Sequence, residues 1–299
     1  MIHVGPAGWS YADWDGRVYP RPRPASFHGL PYLAEFFGCV EVNSTFYALP
    51  RAATVSRWVQ LVRPWPGFRF VVKLSQAFSH EPYPEDGAVW AELAERFIEG
   101  VRPLVRGRRL SAYLLQFPAS FQHSRSAFGR LARVRRLFEE APIVLEVRHR
   151  SWFQRPVLDE LRGLGYSLAH IDLPDAWDHP PARHASTGPV GYLRLHGRNA
   201  RQWFRRDAGR DDRYDYLYTP PEITELASRA RAIASEHDET YVITNNHFEG
   251  QAVANALELR YVLEGEPPLA PATLVDAFPH LRRITRPTGQ GGLFDGPDA

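Results

Sequence analysis

Glu41, Lys73, Glu146 and His196 are side chains that can carry protons or attack an electrophile, and each is followed or preceded at short range by a group of another kind. Asn43 stands two positions after Glu41, Arg148 two after Glu146, and Arg194 two before His196, while Gln116 and the run Asn245-Asn246-His247 add amides and an imidazole. Paired carboxylates suit general acid/base work, glycoside cleavage or the binding of a divalent cation. Histidines gathered with Glu41, Glu146 and Asp172 suit zinc or manganese, which makes Glu41, Glu146, His196 and His247 the candidate metal ligands, although no HExxH spacing or other close ligand pair occurs. Lys73, Arg148 and Arg194 supply positive charge for phosphate or carboxylate oxygens. His196 is the preferred proton carrier, because it shares a strand face with Arg194. The competing reading is an ion-paired plug, in which Glu41 and Glu146 are merely balanced by Arg148, Arg194 and Lys73.

Lys73 stands out by composition. Of 36 basic residues it is the single lysine; the rest are arginines. A bias that replaces lysine wherever arginine can imitate it leaves behind either a chance survivor or a position needing an amine that loses its proton or forms a Schiff base.

These residues need a frame that brings them together. Short apolar, β-branched segments at 2–8, 40–44, 68–74, 111–117, 143–149, 167–172, 191–197 and 239–245 predict strands, and amphipathic patterns at 28–37, 51–62, 88–105, 124–140, 155–164, 221–236 and 250–264 predict helices between most of them. Strand–helix alternation repeated about eight times predicts an α/β fold with a parallel sheet, closed as a (β/α)8 TIM-type barrel. A doubly wound open sheet competes, but Gly5-Pro6-Ala7-Gly8 does not match its phosphate-binding fingerprint. The Pro- and Gly-punctuated stretch 173–189 predicts an irregular sixth connection. Because alternate strand residues face opposite ways, Glu41 and Asn43 oppose Val40 and Val42, and Arg194 and His196 oppose Leu193 and Leu195. The polar residues fall late in their strands, at the rim where barrel enzymes place their chemistry.

With 299 residues, 44% hydrophobic and 23% charged, the chain can bury a sizeable core, and a formal charge of +2 announces neither a nucleic-acid nor a membrane partner. One cysteine excludes a disulfide framework. The start Met1-Ile2-His3-Val4 lacks a charged-then-apolar leader and no apolar run reaches about 18 residues, so the expectation is a cytoplasmic protein with no membrane partner.

Gly8-Trp9-Ser10-Tyr11 with Trp14, the run from Val40 to Tyr47 (VEVNSTFY), Phe70-Val71-Val72-Lys73 with His80, Leu115-Gln116-Phe117-Pro118, Glu146-Val147-Arg148-His149 with Trp152, Arg194-Leu195-His196-Gly197, and Asn245-Asn246-His247 running into Gln251-Ala252 together resemble the YecE-like family, also called domain of unknown function 72. The resemblance spans about residues 3–285 and implies a TIM-type barrel; it implies no particular reaction.

The expected organisation is therefore one barrel domain over 1–285 and a flexible tail over 286–299. Within that tail, Gln290, Leu293 and Phe294 resemble the peptide by which proteins bind the bacterial sliding clamp. The segment after strand seven holds Arg198, Arg201, Trp203, Phe204, Arg205, Arg206, Arg210 and Arg213, a mixture suited to a nucleic-acid backbone and stacked bases, though Asp207, Asp211 and Asp212 offset part of the charge. The loop opening at Asn245 precedes a helix, a common phosphate position in this fold. The reading that follows is an enzyme acting by acid/base chemistry on an anionic, phosphorylated substrate. Its catalytic groups are Glu41, Lys73, Glu146 and His196, and its substrate is bound by Trp9, Tyr11, Asn43, Gln116, Arg148, Arg194, Asn245 and Asn246. Two alternatives stand beside it: a nucleic-acid repair factor recruited by the clamp, and a non-catalytic ligand-binding barrel.

Overall fold

The computed structural model describes residues 1–84, 86–205 and 207–288, with the side chain of residue 210 left out. Gln290, Leu293 and Phe294 lie outside the described residues. The strands are β1 (Ile2–Pro6), β2 (Cys39–Val42), β3 (Arg69–Lys73), β4 (Leu110–Gln116), β5 (Ile143–Glu146), β6 (Tyr166–Leu168), β7 (His170–Asp172), β8 (Val190–Leu195) and β9 (Glu239–Thr244). All eight expected strands form, the sixth in two pieces. The helices are α1 (Gly29–Ala34), α2 (Ser44–Tyr47), α3 (Ala52–Leu61), α4 (Gly87–Arg106), α5 (Arg125–Leu137), α6 (Arg155–Gly163), α7 (Ala200–Trp203), α8 (Arg210–Tyr214), α9 (Pro220–Ala234), α10 (Gln251–Glu264) and α11 (Ala272–Ala277). Their limits follow local chemistry. Asp86 accepts a bond from the Ala88 amide at 2.8 Å to start α4, and Ser124 accepts one from Ala127 at 3.1 Å to start α5. Thr219 and Glu222 form a capping box on α9, and left-handed Gly265 ends α10.

The strands pair in parallel as two sheets. One runs β2-β3-β4-β5-β6, the other β1-β9-β8-β7. The expected closed eight-stranded ladder is thus met as an α/β fold of two open parallel sheets. Between β6 and β7, Ala169 leaves the strand pattern but still donates to the Leu145 carbonyl at 2.9 Å. At the other seam, β1 and β2 share a single bridge, Ala7 to Glu41, with the Gly8 amide donating to the Glu41 carbonyl at 2.8 Å. The backbones approach so closely here that a Cβ on Gly5 would lie 2.0 Å from the Cys39 carbonyl oxygen.

Strand parity sorts the core into layers. Val40, Val42, Phe70, Val72, Tyr113, Leu115, Ile143 and Leu145 pack outward with Val55, Phe97, Leu131 and Leu161 of the helices. Leu193, Leu195 and Val242 do the same against α9 and α10. The opposite face carries Cys39, Val71, Ala112, Leu114, Val144, Ile171, Tyr192 and Ile243 in one buried cluster drawn from both sheets. Two residues on from Cys39, Val71, Leu114, Val144, Tyr192 and Ile243 stand Glu41, Lys73, Gln116, Glu146, Arg194 and Asn245.

One further expectation is corrected. Residue 286 does not begin a free tail: Arg286–Pro287 pairs in parallel with Leu269–Ala270, and the Thr288 amide donates to Ala270 at 2.9 Å. After β8 the chain forms two short helices, with the Asn199 side chain accepting from the Gln202 amide at the start of α7 and Asp212 accepting from the Gly209 amide at the start of α8. The stretch 173–189 carries no helix or strand, as its prolines predict.

Candidate active site

The inner face of the strands ends in a charged layer centred on Arg194. Its Nε and Nη2 donate to Glu41 Oε2 and Oε1 at 2.9 and 2.6 Å, and its Nη1 donates to Glu146 Oε2 at 2.9 Å. Asn245 Oδ1 accepts a weaker bond from Nη2 at 3.3 Å. Tyr192, one layer below, donates its hydroxyl to Glu41 Oε2 at 2.6 Å. Arg148 Nε and Nη2 donate to Glu146 Oε1 at 2.9 and 2.8 Å. Glu41 and Glu146 are both fully buried. Sequence parity thus brings together residues from β2, β5 and β8, and one guanidinium spans the two carboxylates.

The electrostatics follow from that clamp. Burial alone would raise the Glu146 pKa, but Arg194, His196 and Arg148 overcome it and hold the carboxyl well below its ordinary range. Burial would strip the Arg194 charge, yet Glu41 and Glu146 hold its pKa well above the ordinary arginine value. The charge is fixed, and so is the geometry.

His196 is also fully buried, with the ring centroids of Trp203 (edge-on) and Tyr214 (tilted) 5.9 and 6.1 Å from its own. Asn245 Nδ2 donates to its Nδ1 at 3.1 Å, which leaves the proton on Nε2, 3.2 Å from Glu146 Oε1 but out of hydrogen-bond alignment. Burial lowers its pKa to about 4, against the pull of Glu146, so the ring is neutral near pH 7.

Lys73 ends β3 on the same inner face. Its Nζ donates to Gln116 Oε1 at 2.8 Å and lies 4.0 Å from the Phe46 ring centroid. Gln116 is held in turn by its Nε2 donating to the Phe117 carbonyl at 2.7 Å. Thr45, at the start of α2, donates to the Lys73 carbonyl at 2.6 Å. Burial, then the Arg194 charge, lowers the amine pKa to about 7 despite the counter-pull of Glu146 and Glu41. Lys73, Gln116 and Arg194 line a cavity of about 100 Å³, walled otherwise by Asn43, Asn245, His247 and the phenols of Tyr11, Tyr47 and Tyr214. Asn43 Oδ1 is buried without a hydrogen-bond partner among the described residues.

Of the sequence-predicted residues, Tyr11, Asn43, Lys73, Gln116, Arg194 and Asn245 therefore meet at one cavity. Glu41, Glu146, Arg148 and His196 form the layer that supports it. Trp9 sits elsewhere, edge-on to Trp58 at 5.3 Å and packed between the two helical layers. Asn246 points to the opposite face from Asn245, where its amide donates to the Tyr216 carbonyl and to Asn255, both at 2.8 Å. Asp172 likewise falls on the outer face, out of step with Ile171. It binds Arg198, Arg229 of α9 and the Tyr218 hydroxyl, so it cannot join a cluster with Glu41 and Glu146. The space between those two carboxylates is filled by Arg194, and His247 is stacked on Tyr11 at 4.6 Å. Among the described residues no group of three or more His, Cys, Asp or Glu side chains is arranged to hold a metal ion. In the arginine-rich segment, Arg198 is neutralised by Asp172, Glu222 and Glu225, and Arg205 pairs with Asp207.

Sequence reasoning missed Tyr47 and Tyr214 as cavity walls and Tyr192 as a partner of Glu41. Tyr192 shares the Arg194 face, so it was within reach of a parity argument, whereas Tyr47 ends the short helix α2, where parity does not apply. Tyr214 comes from a segment with no regular period.

The family model for the protein of unknown function DUF72 matches residues 3–275. The chain belongs to the DUF72 family. It is 28% identical over 278 residues to the UPF0759 protein YunF of Bacillus subtilis, covering 89% of this chain and 96% of that one. The UPF0759 protein YecE of Escherichia coli is 31% identical over 121 residues, 40% of this chain and 39% of YecE. A DUF72 family crystal structure from Thermotoga maritima superposes with a TM-score of 0.75 at 33% identity, covering 88% of this chain and 99% of that one. One from Enterococcus faecalis gives 0.75 at 28%, covering 88% and 96%. Among the described residues, no helix of this DUF72 chain is long and apolar enough to cross a membrane.

Proposed function

We propose that this protein is an enzyme that binds a small anionic substrate at the C-terminal ends of its strands and acts on it by acid/base chemistry centred on Lys73. The carrying observation is the charge balance around the cavity. Arg194 and Arg148 are cancelled by Glu41 and Glu146, whereas Lys73 makes no ion pair among the described residues. The protonated amine is then a surplus positive charge facing a cavity, which favours an anion; the neutral amine is a base near pH 7. Asn43 Oδ1, buried without a partner among the described residues, can accept a hydrogen bond from a substrate hydroxyl. On this reading Glu41 and Glu146 are positioning residues: they hold Arg194 at the cavity wall and tune Lys73, while His196 buttresses Glu146. The two sheets serve as one (β/α)8-type barrel. The Ala7–Glu41 bridge, the Ala169–Leu145 bond and the shared inner cluster support that closure.

Protection of Lys73 tests this reading. Acetylation of the Lys73 amine, followed by peptide mass spectrometry, should slow at least about threefold when millimolar lactate, phosphate or another small anion occupies the cavity. Neutral analogues should leave the rate unchanged. Equal rates with and without every anion would remove the basis of the proposal.

A further inference from the structure

The geometry points to covalent catalysis at this site: Lys73 condenses with the carbonyl of a small oxo acid to form an imine. The inference rests on the anion-binding reading above and adds to it the substrate class and the bond made.

Three features of the cavity select this chemistry. The amine is at the wall of a cavity and among the described residues is held by Gln116 Oε1 at 2.8 Å, with the Phe46 ring centroid 4.0 Å from Nζ. An amide oxygen accepts one amine proton and aims the nitrogen without neutralising it, unlike a carboxylate, which would hold it as an ammonium ion. Burial and the nearby Arg194 charge both favour the neutral, nucleophilic form. The arginines of the layer are locked by carboxylates and cannot substitute for an amine, which accounts for a single lysine in an arginine-rich chain falling at this point.

The step balances without a co-reactant. The Lys73 nitrogen adds to the carbonyl carbon, the C=O π pair moves to oxygen, and a carbinolamine forms. The oxygen then leaves as water as the C=N bond forms. Both protons of the neutral amine end on that water. Tyr214 and Tyr47 line the same cavity and can relay them. The cavity, about 100 Å³, suits a small acid such as pyruvate. Its carboxylate takes the place beside Arg194 at the cavity wall. The resulting imine is an electron sink for proton abstraction or C–C cleavage at the adjacent carbon.

Pyruvate with cyanoborohydride at pH 7 tests the step on the full chain. Lys73 is the single lysine of the sequence, so peptide mapping separates its reduced adduct from one at the α-amine of the chain tested, Met1. The expected result is one saturable adduct at Lys73, formed at least about tenfold faster than with acetone, suppressed by lactate and absent in Lys73→Arg. An adduct confined to Met1, while lactate still protects Lys73 from acetylation, would overturn the imine but leave the anion site standing. An adduct confined to Met1 with no protection would overturn both.

Discussion

Arg194 carries more of the site than any catalytic candidate around it. It gives three hydrogen bonds to two fully buried carboxylates, so deleting it strands the Glu41 charge in the interior and leaves Glu146 to Arg148 alone. Arg194→Met should lower stability by about 3–5 kcal/mol in urea denaturation. Arg194→Lys should recover little of this, since an ammonium cannot span both carboxylates. Lys73 gives a second test. Its pKa is about 7 in the fold and near 10.5 when exposed, so between those values the unfolded chain binds more protons. Stability therefore rises with pH across that window, and the penalty is fully present below about pH 7. Lys73→Met should be more stable than the parent at pH 6 and lose that advantage by pH 10, as thermal melts would show. Anion binding should run the other way, weakening by up to about tenfold per pH unit above pH 7. The mixture of types in these strands was legible from sequence because charges are conspicuous among β-branched neighbours. The roles were not. A carboxylate pair reads alike whether it faces a substrate or a guanidinium, and only distances separate the two.

At the scale of elements, period-two alternation placed Glu41, Lys73, Glu146 and Arg194 on one face before any coordinates, and the long helices were equally plain from their apolar stripes. Grouping Asp172 with the mouth carboxylates, and Asn246 with Asn245, ignored the same rule: each is one residue out of step and faces a helix instead. α7 and α8 escaped notice because helices of four and five residues have no measurable period. The seam between β1 and β2 also left no periodic trace, only a glycine. Gly5→Ala would force a methyl into the Cys39 carbonyl, and backbone cannot swing aside as a side chain can. The expected cost is about 2–3 kcal/mol or more, with the amides of β1 and β2 losing hydrogen-exchange protection ahead of those in β4.

At the scale of the whole molecule, acid should unfold the protein in two stages. His196 and His170 have pKa values lowered by burial to about 4 and about 2, against 6.5 when exposed. From pH 6.5 down to about 4 the unfolded chain takes up protons that these rings refuse, at a cost of about 1.4 kcal/mol per pH unit for each. Glu146 and Asp172 are held low by their arginines, so their contribution is intact above about pH 4.5 and is lost as the pH falls through their folded-state values. Urea midpoints measured from pH 7 to 3 should fall from the first step below 6.5, and His196→Gln should flatten the upper stage. A midpoint that held constant down to pH 4.5 would contradict the neutral, buried histidines.

The pairing of Ile2 with Thr240 sets an order on how the chain matures. The sheet from β2 to β6 joins neighbours in sequence and can assemble while the polypeptide is still emerging from the ribosome. Among the described strands β1 has no lateral ladder partner until β9 is synthesised, so it is captured long after it is made. Until then its apolar residues are open to chaperones and proteases. The Ala7–Glu41 bridge adjoins the pairing that ends this wait. A nascent chain arrested before residue 239 would thus lack both its outermost seam and Asn245, and be unable to bind at the cavity.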